Sequence, residues 1–337
     1  MKNICIVGYG AIGRTHAQAL LQVENACLYA VCDTKTEKLD EARNLYEHIV
    51  SYTDFDQMLE DEKIDGIQIC TPHYLHFEMI KKALEKGMSV ICEKPLVMTK
   101  DEMEQLLKLE NADKVGVVFQ NRLTPCIKKA KEIVESGEYG KIITAKCQVT
   151  WKRTKEYYND DWHGRLATEG GGVLINQTIH TFDYFDYVMG GIESLKANMM
   201  NFALDIEVED TFVASLKLKC GAPALFFASN AYGTSTKPEF EIIFENAKLR
   251  LCDDTLYING EMVAENSKDY LGKDYWGIGH VKLLKNFYDN NKYFSPFDVK
   301  NTMNGVFAMY ESARTGVKEI ILGGKNNEND IQMVRRR

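Results

Sequence analysis

Residues Ile6–Gly13 read IVGYGAIG and continue a short apolar run that begins at Ile4. The pattern predicts a buried strand, then a glycine-rich turn, then a helix. In such a unit we expect Gly8 to permit the tight turn and Gly10 to let the backbone approach a pyrophosphate. Gly13 lets the helix pack closely against the strand.

An acidic residue ends the second apolar run. That run, LYAVCD, closes at Asp33, twenty residues after Gly13. A carboxylate at this place accepts hydrogen bonds from an adenosine ribose, and the helix N-terminus attracts the phosphates. The sequence therefore predicts a dinucleotide site formed by Gly8, Tyr9, Gly10, Ala11, Ile12, Gly13 and Asp33. Asp33 would repel a 2′-phosphate, which favours NAD over NADP, although Lys35 and Lys38 are close enough in sequence to soften that preference.

Length and composition favour a two-domain enzyme. The 337 residues exceed one typical core, and we predict domains at 1–122 and 123–337. A net charge of −8 argues against nucleic acid or anionic membranes as partners, and no apolar run approaches the roughly 18 residues of a membrane span. No signal peptide is expected. The nine cysteines, without a CxxC pair, predict free thiols in the cytoplasm and no metal site.

The hydrophobic period changes near residue 122. Before it, apolar strands alternate with amphipathic helices, which is typical of a doubly wound parallel sheet. The strands predicted there are Ile4–Val7, Cys27–Cys32, Gly66–Cys70, Ser89–Cys92 and Val115–Phe119. After it, a helix near 172–189 and a series of long strands predict a second α/β domain with a large, mainly antiparallel sheet.

Residues that could take part in binding or catalysis follow two of the strands of the parallel sheet. Ligands of such sheets lie outside the carboxyl ends of the strands. The segment CTPHYLH ends one strand, and CEKPL ends the next. A lysine held between a buried strand and a proline has little structural purpose, so Lys94 is interpreted as functional. The cofactor-binding residues expected in this region are Thr71, Pro72, His73, His76, Glu93, Lys94 and Gln120.

A third segment, EGGGVLINQTIH, occupies Glu169–His180. Asn176 and His180 are four residues apart, which places them on one face of a regular helix. A lone histidine on an apolar helix is more often a core residue. The polar pair beside a triple glycine favours a functional site instead.

Taken together, these motifs resemble the glucose–fructose oxidoreductase/inositol dehydrogenase (Gfo/Idh/MocA) family over essentially the whole chain. The resemblance implies an N-terminal Rossmann domain and a C-terminal α/β domain with a large open antiparallel sheet. It implies an NAD-dependent oxidoreductase acting on a sugar, cyclitol or related polyol, assembled as a homodimer or homotetramer. Lys94 would be the active-site lysine, on a cis Lys94–Pro95 bond, and Glu93 would help to position the cofactor.

His180 would be the second catalytic residue. Asn176 stands where many members carry aspartate, and His73 stands where asparagine is more usual. Oxidation of an alcohol needs a proton acceptor as well as a hydride acceptor. Lys94 and His180 both remain candidates for that base, whereas the neutral amide of Asn176 can only orient a substrate hydroxyl. An Asn176→Asp change should then be tolerated or shift the choice of substrate.

Other substrate contacts and other functions stay open at this stage. Arg122, Trp162 and Tyr275 are further candidates for sugar binding. A redox-assisted sugar lyase or glycosidase would use the same residues without net turnover of NAD. A regulator that senses a nucleotide or sugar is the third alternative, and the presence of Lys94 and His180 argues against it.

Overall fold

The computed structural model describes residues 1–267, 269, 278–317 and 320–321. Its strands are β1 Lys2–Val7, β2 Ala26–Cys32, β3 Val50–Tyr52, β4 Gly66–Ile69, β5 Ser89–Cys92, β6 Val115–Val117, β7 Ile142–Thr150, β8 Ile192–Met200, β9 Thr211–Leu218, β10 Pro223–Ser229, β11 Glu239–Phe244, β12 Lys248–Cys252, β13 Thr255–Ile258, β14 Glu261–Glu265 and β15 Ile320–Ile321. Its α-helices are α1 Ala11–Leu20, α2 Thr36–Leu45, α3 Phe55–Leu59, α4 His76–Glu85, α5 Lys100–Leu106, α6 Pro125–Ser136, α7 Leu166–Glu169, α8 Ile179–Met189, α9 Gly279–Tyr288 and α10 Pro296–Thr315.

The chain forms two compact units. The first contains Met1–Leu123 and Ser267–Val299, and the second contains Thr124–Asn266 and Lys300–Arg337. The sequence-based boundary after residue 122 lies one residue from the first division. Residues 267–299, which the sequence analysis assigned to the second domain, group with the first.

The first unit is built on a six-stranded parallel sheet in the order β3-β2-β1-β4-β5-β6. This is the doubly wound Rossmann sheet expected from the alternating strands and helices. Strand β3 was not predicted from the sequence, since VSY is too short and too polar to show a period. Helix α9 packs beside α1, where Leu284 and Phe287 join Ile4 and Leu20 in one buried cluster.

The second unit is built on a nine-stranded sheet in the order β14-β13-β12-β11-β7-β10-β9-β8-β15. Its pairs are antiparallel except β7 with β10, which run parallel. Helix α8 covers one face: Phe182 meets Phe226 at 5.5 Å between ring centroids, and Phe185 meets Phe240 at 5.5 Å. The expected open, mainly antiparallel sheet is confirmed.

The helix expected over 172–189 is not continuous. A π-helical turn, Val173–Gln177, is followed by Thr178 and then by α8. The Thr178 N–H donates to the Val173 carbonyl five residues earlier, whereas the Phe182 N–H donates to Thr178 in the ordinary α pattern. Asn176 and His180 therefore lie on different helical segments, so their spacing does not define one face of a regular helix.

No helix among the described residues is both long and apolar enough to span a bilayer.

Candidate active site

The glycine-rich turn has the close backbone approaches that the sequence predicts. Gly8 has φ +88°, and a Cβ there would lie 2.7 Å from the Cys70 carbonyl oxygen. A Cβ on Gly13 would lie 2.1 Å from the Gly8 carbonyl oxygen. At Gly10 a Cβ would meet nothing within 4 Å, so the turn is open on that side. Gly10 is also the N-cap of α1 and no side chain caps it, which leaves N–H groups of the first turn for a phosphate.

Asp33 is held at the end of β2 by backbone N–H groups. The Tyr9 N–H donates to its Oδ2 at 2.7 Å, and the Lys35 N–H donates to its Oδ1 at 2.9 Å. The carboxylate is thus fixed beside the glycine turn, where an adenosine ribose would be bound. Acceptor capacity remains, because two carboxylate oxygens offer about four lone-pair sites.

His76 links two strand ends. Its Nδ1 lies 2.8 Å from the Pro95 carbonyl oxygen and its Nε2 lies 3.0 Å from the Thr71 carbonyl oxygen. The ring is fully buried, and burial lowers the pKa of His76. Its contacts hold the Thr71 segment against the segment that carries Lys94. His73 is also buried, and Pro72 begins the short 3₁₀ turn His73–Leu75.

Glu93 lies in a buried polar cluster that the sequence analysis did not find. His16 Nε2 is 3.0 Å from Glu93 Oε1, and His280 Nε2 is 3.5 Å from the same oxygen. His16 Nδ1 is 2.7 Å from Gln68 Oε1, and Gln68 Nε2 lies 3.3 Å from the Tyr288 hydroxyl. The sequence feature that could have revealed this cluster is His16, a histidine on the apolar face of α1.

Opposite charges explain the cluster. Burial disfavours a charged His16, but the Cys70 thiol and the Glu93 carboxylate raise the pKa of His16 well above its ordinary value. Burial likewise opposes ionisation of Glu93, yet contacts with His16 and His280 hold the pKa of Glu93 well below its ordinary range. Burial lowers the pKa of His280. A buried pair of ionised Glu93 and protonated His16, with a neutral His280, follows from these shifts.

The same carboxylate anchors the lysine segment. Glu93 Oε2 accepts the Lys94 backbone N–H at 3.1 Å. The Lys94–Pro95 bond is cis, as the resemblance implied. Lys94 thus lies two residues after the end of β5. Its backbone is tied to α1 through Glu93 and His16.

Arg122 packs against aromatic residues of its own unit. Its guanidinium carbon lies 5.6 Å from the centroid of the Phe119 ring and 5.0 Å from that of Phe294. The side chain is only 4% exposed. These contacts identify Arg122 first as a packing residue of the sheet edge. Gln120 is buried as well, and a Cβ on Gly279 would lie 2.8 Å from its Cγ.

In the second unit, two side chains satisfy the start of the π-helical turn. Glu209 accepts the Gly172 N–H at 2.9 Å and the Leu174 N–H at 3.0 Å, while its own carbonyl accepts the Val173 N–H. The Tyr310 hydroxyl accepts the Ile175 N–H at 3.3 Å and donates to Glu209 at 2.8 Å. Burial raises the pKa of Glu209.

This arrangement explains the triple glycine. A Cβ on Gly171 would lie 2.2 Å from the Tyr310 hydroxyl, and one on Gly172 would lie 2.1 Å from the Glu209 carbonyl oxygen. The glycines permit close packing of Tyr310 and Glu209 on the turn. Because these two residues satisfy its first N–H groups, the turn is not a phosphate cradle.

Asn176 lies on that turn, and His180 lies in the first turn of α8. Asn176 is 6% exposed, and its Nδ2 donates to Glu169 Oε1 at 2.5 Å. His180 is half-buried. Trp162 stacks on His163 at 3.7 Å between centroids in the loop before α7. Tyr275 lies outside the described residues.

The chain matches two family models. Residues 2–121 match the oxidoreductase family with an NAD-binding Rossmann fold, Gfo/Idh/MocA, and residues 127–250 match a Gfo/Idh/MocA C-terminal domain. The chain belongs to the Gfo/Idh/MocA oxidoreductase family. It is an oxidoreductase that acts on CH–OH groups with NAD as its cofactor.

Similar proteins agree with this assignment. An uncharacterised oxidoreductase of Bacillus subtilis, YrbE, is 30% identical over 244 residues, which cover 69% of each chain. A myo-inositol 2-dehydrogenase of Thermotoga maritima is 28% identical over 232 residues, 65% of this chain and 66% of that one. The WlbA dehydrogenase of Bordetella pertussis, solved with NADH and UDP-GlcNAcA, is 25% identical with a TM-score of 0.86, covering 96% of this chain and 98% of that one.

Proposed function

We propose that the protein transfers a hydride between the nicotinamide of NAD and a secondary alcohol or ketone of a sugar, sugar derivative or cyclitol. The observation that carries the proposal is the glycine turn, open at Gly10 and uncapped at α1, with Asp33 fixed beside it. Relatives named as inositol, glucoside and levoglucosan dehydrogenases support the substrate class.

We propose that the backbone of Gly8–Gly13 binds the pyrophosphate and that Asp33 accepts the ribose hydroxyls. Thr71, Pro72, His73, Glu93, Lys94 and Gln120 complete the cofactor site, with His76 holding the Thr71 segment in place. Asp33 favours NAD over NADP because its carboxylate repels a 2′-phosphate.

We propose that Lys94 and His180 manage the proton of the reacting hydroxyl. When bound, NAD supplies the hydride acceptor. An ammonium group on Lys94 would hold the hydroxyl oxygen and stabilise the negative charge that develops there. An imidazole at His180 can accept or release a proton near neutral pH. Asn176 would hold a neighbouring hydroxyl, and Trp162, Arg122 and Tyr275 are candidates for outer substrate contacts.

We also propose a homodimer or homotetramer in the cytoplasm. All nine cysteines are free, which suits a reducing compartment. On the sheet face opposite α8, Leu225 is 45% exposed. The neighbouring Lys146 and Glu241 lie 3.7 Å apart on that face, which is therefore less apolar than the sequence of β10 alone suggests. A self-complementary contact through this mixed face would cover Leu225.

A redox-assisted lyase is the alternative within the same chemistry, and a named relative, 2,7-anhydro-N-acetylneuraminate hydratase, keeps it open. Incubation with NAD⁺ and a panel of myo-inositol, glucosides, levoglucosan and UDP-GlcNAcA separates the possibilities. We expect the absorbance of NADH to increase at the same rate as product forms. Product without net NADH would indicate the lyase, and cofactor binding without any product would indicate a regulator.

A further inference from the structure

Arg153 lies in a fixed segment shortly after the end of β7. The Arg153 N–H donates to the Asn230 carbonyl at 2.9 Å, which ties this segment to the chain that follows β10. The nearby Trp151 ring is fixed as well, since its Nε1 donates to the Thr236 carbonyl at 2.9 Å. The backbone of Arg153 and the ring beside it are therefore both held within the second unit.

The Arg153 side chain is oriented by neutral groups. Its guanidinium carbon lies 4.8 Å from the centroid of the Trp151 ring and 5.1 Å from that of the Tyr157 ring. Its Nε and Nη2 both donate to Gln177 Oε1, at 3.2 and 3.1 Å. Gln177 is buried, and its Nε2 donates to the Tyr157 hydroxyl at 2.5 Å. The guanidinium is thus oriented before any ligand binds, so a ligand there costs little side-chain entropy.

The positive charge of Arg153 has no carboxylate partner among the residues that the structure describes. Gln177 takes the edge formed by Nε and Nη2, and the Lys152 carbonyl makes only a long contact, 3.4 Å from Nη1. Two of the five N–H groups are then left for a ligand. Other arginines differ, since each of the following has a carboxylate oxygen within 3.6 Å: Arg14, Arg43, Arg250 and Arg314.

Arg153 is accessible and contacts the segment that the proposed function assigns to the substrate. It is half-buried, so part of the residue remains in contact with solvent. Gln177, which binds it, is the last residue of the π-helical turn that also carries Asn176. Helix α8, with His180 in its first turn, begins at Ile179. A ligand group held by Arg153 would therefore lie beside this segment.

We propose that Arg153 is a specificity-determining residue that binds the carboxylate or phosphate group of an anionic sugar. A guanidinium presents its N–H groups in a planar fork that matches the oxygens of such a group, and its charge strengthens each hydrogen bond. The two aromatic rings replace water beside the guanidinium, which strengthens the attraction further. The proposal rests on the proposed function and narrows its substrate class to sugars that carry a negative charge.

Matched probes test the anionic group. Calorimetry on the NADH-loaded protein gives the Kd of methyl β-D-glucuronide, of methyl β-D-glucoside 6-phosphate and of the neutral methyl β-D-glucoside. None of the three contains an aldehyde or ketone that NADH could reduce. We expect at least one anionic probe to bind roughly tenfold or more tightly than the neutral one, and the better of the two identifies carboxylate or phosphate. Equal, weaker or undetectable binding of both anionic probes overturns the proposal.

Variants of Arg153 assign the preference to its side chain. Arg153→Gln removes the charge and should raise the Kd of the preferred anionic probe by roughly 10- to 100-fold, while the Kd of methyl β-D-glucoside stays within about threefold. Its Tm should change by less than about 2 °C. Arg153→Lys keeps the charge without the fork and should give an intermediate Kd. Arg250→Gln is the matched control, since Arg250 already pairs with Glu239, and should bind all probes like the wild type.

The comparison of charged and neutral probes separates binding from packing. Weakening of both by the same factor in Arg153→Gln would assign Arg153 to packing and overturn the proposal. Should Arg153→Gln fail to fold, Arg153→Lys decides by the same comparison. These assays need no oxidation, so if no sugar on the panel is oxidised, the proposed function fails while the Kd values still decide the role of Arg153. Oxidation of neutral sugars without any preference for the charged probes supports the proposed function and overturns this inference.

Discussion

At the scale of single residues, Lys94 carries the proposed chemistry. Lys94→Ala should reduce turnover below detection because it removes the ammonium group at the end of β5. The Kd for NAD should stay within about threefold, since we propose that the glycine turn and Asp33, which the Tyr9 N–H holds beside it, make the principal cofactor contacts. Turnover is measured as NADH absorbance and Kd by calorimetry. Lys108→Ala, on the exposed surface, is the control and should match the wild type. Near wild-type turnover in Lys94→Ala would show that the proposed mechanism is wrong.

Removal of the His180 side chain should reduce turnover by a smaller factor than removal of the Lys94 side chain. His180→Ala is expected to lower kcat by roughly 10²–10⁴-fold, the usual effect of losing a general acid–base group. The pH profile of kcat should lose one limb in this variant, because an imidazole no longer titrates. An unchanged profile together with unchanged kcat would assign the proton transfer elsewhere. His48→Ala provides the matched control, since the His48 side chain is 89% exposed.

We expect Asp33 to determine the preference for NAD over NADP, also at the scale of a single residue. Its two oxygens already accept two backbone N–H groups, so the carboxylate cannot turn away from a 2′-phosphate without losing both. We expect kcat/KM to favour NAD over NADP by at least about tenfold and Asp33→Ser to narrow the ratio. Equal efficiency with both cofactors in the wild type would contradict this explanation.

At the scale of elements, the buried pair of His16 and Glu93 ties α1 to the end of β5. His16→Gln removes one charge and leaves the other buried, which should lower the free energy of unfolding by about 3–5 kcal/mol. Urea unfolding measures the loss, and His48→Gln on the exposed surface should change it by less than about 0.5 kcal/mol. A cost for His16→Gln as small as that of the control would show that the pair contributes nothing.

The same pair should make the free energy of unfolding depend on pH both in acid and in alkaline solution. The pKa of His16 is raised, so its contribution to stability is complete in acid and is lost as the pH rises through the folded-state pKa. The pKa of Glu93 is lowered, so its contribution is present above the ordinary glutamate pKa and is lost as the pH falls through the folded-state value. Unfolding of His16→Gln should therefore vary less with pH on both sides of neutrality.

The elements also show what sequence can predict. The parallel strands and the glycine turn follow from local patterns, and Thr99 with Glu102 forms the capping box that starts α5. The π-helical turn does not follow locally, since Glu209 and Tyr310 lie 35 to 135 positions from the N–H groups that they bind. The His16 cluster joins residues separated by 77 positions in the case of Glu93, so periodicity along the chain cannot reveal it.

At the scale of the whole molecule, the proposed assembly would use the sheet face opposite α8. Leu225→Asp would place a charge on that face without touching the core, because the side chain is 45% exposed. We expect light scattering at micromolar concentration to report a dimer or tetramer for the wild type and a smaller species for Leu225→Asp. A monomeric wild type would show that the proposed assembly is wrong. Ser215→Asp, on neighbouring β9, tests how far the contact extends.

The outermost strand of the second sheet has a further consequence. Among the strands that the structure describes, β14 has one neighbour, β13, so its other side offers backbone groups that another chain could pair with. Its sequence EMVAE exposes Met262 and Val263 but begins at Glu261 and ends at Glu265. Two carboxylates at the ends of an apolar strand repel a second copy of the same strand. We therefore expect these glutamates to protect the enzyme from fibrous aggregation, a contribution that is separate from its catalysis.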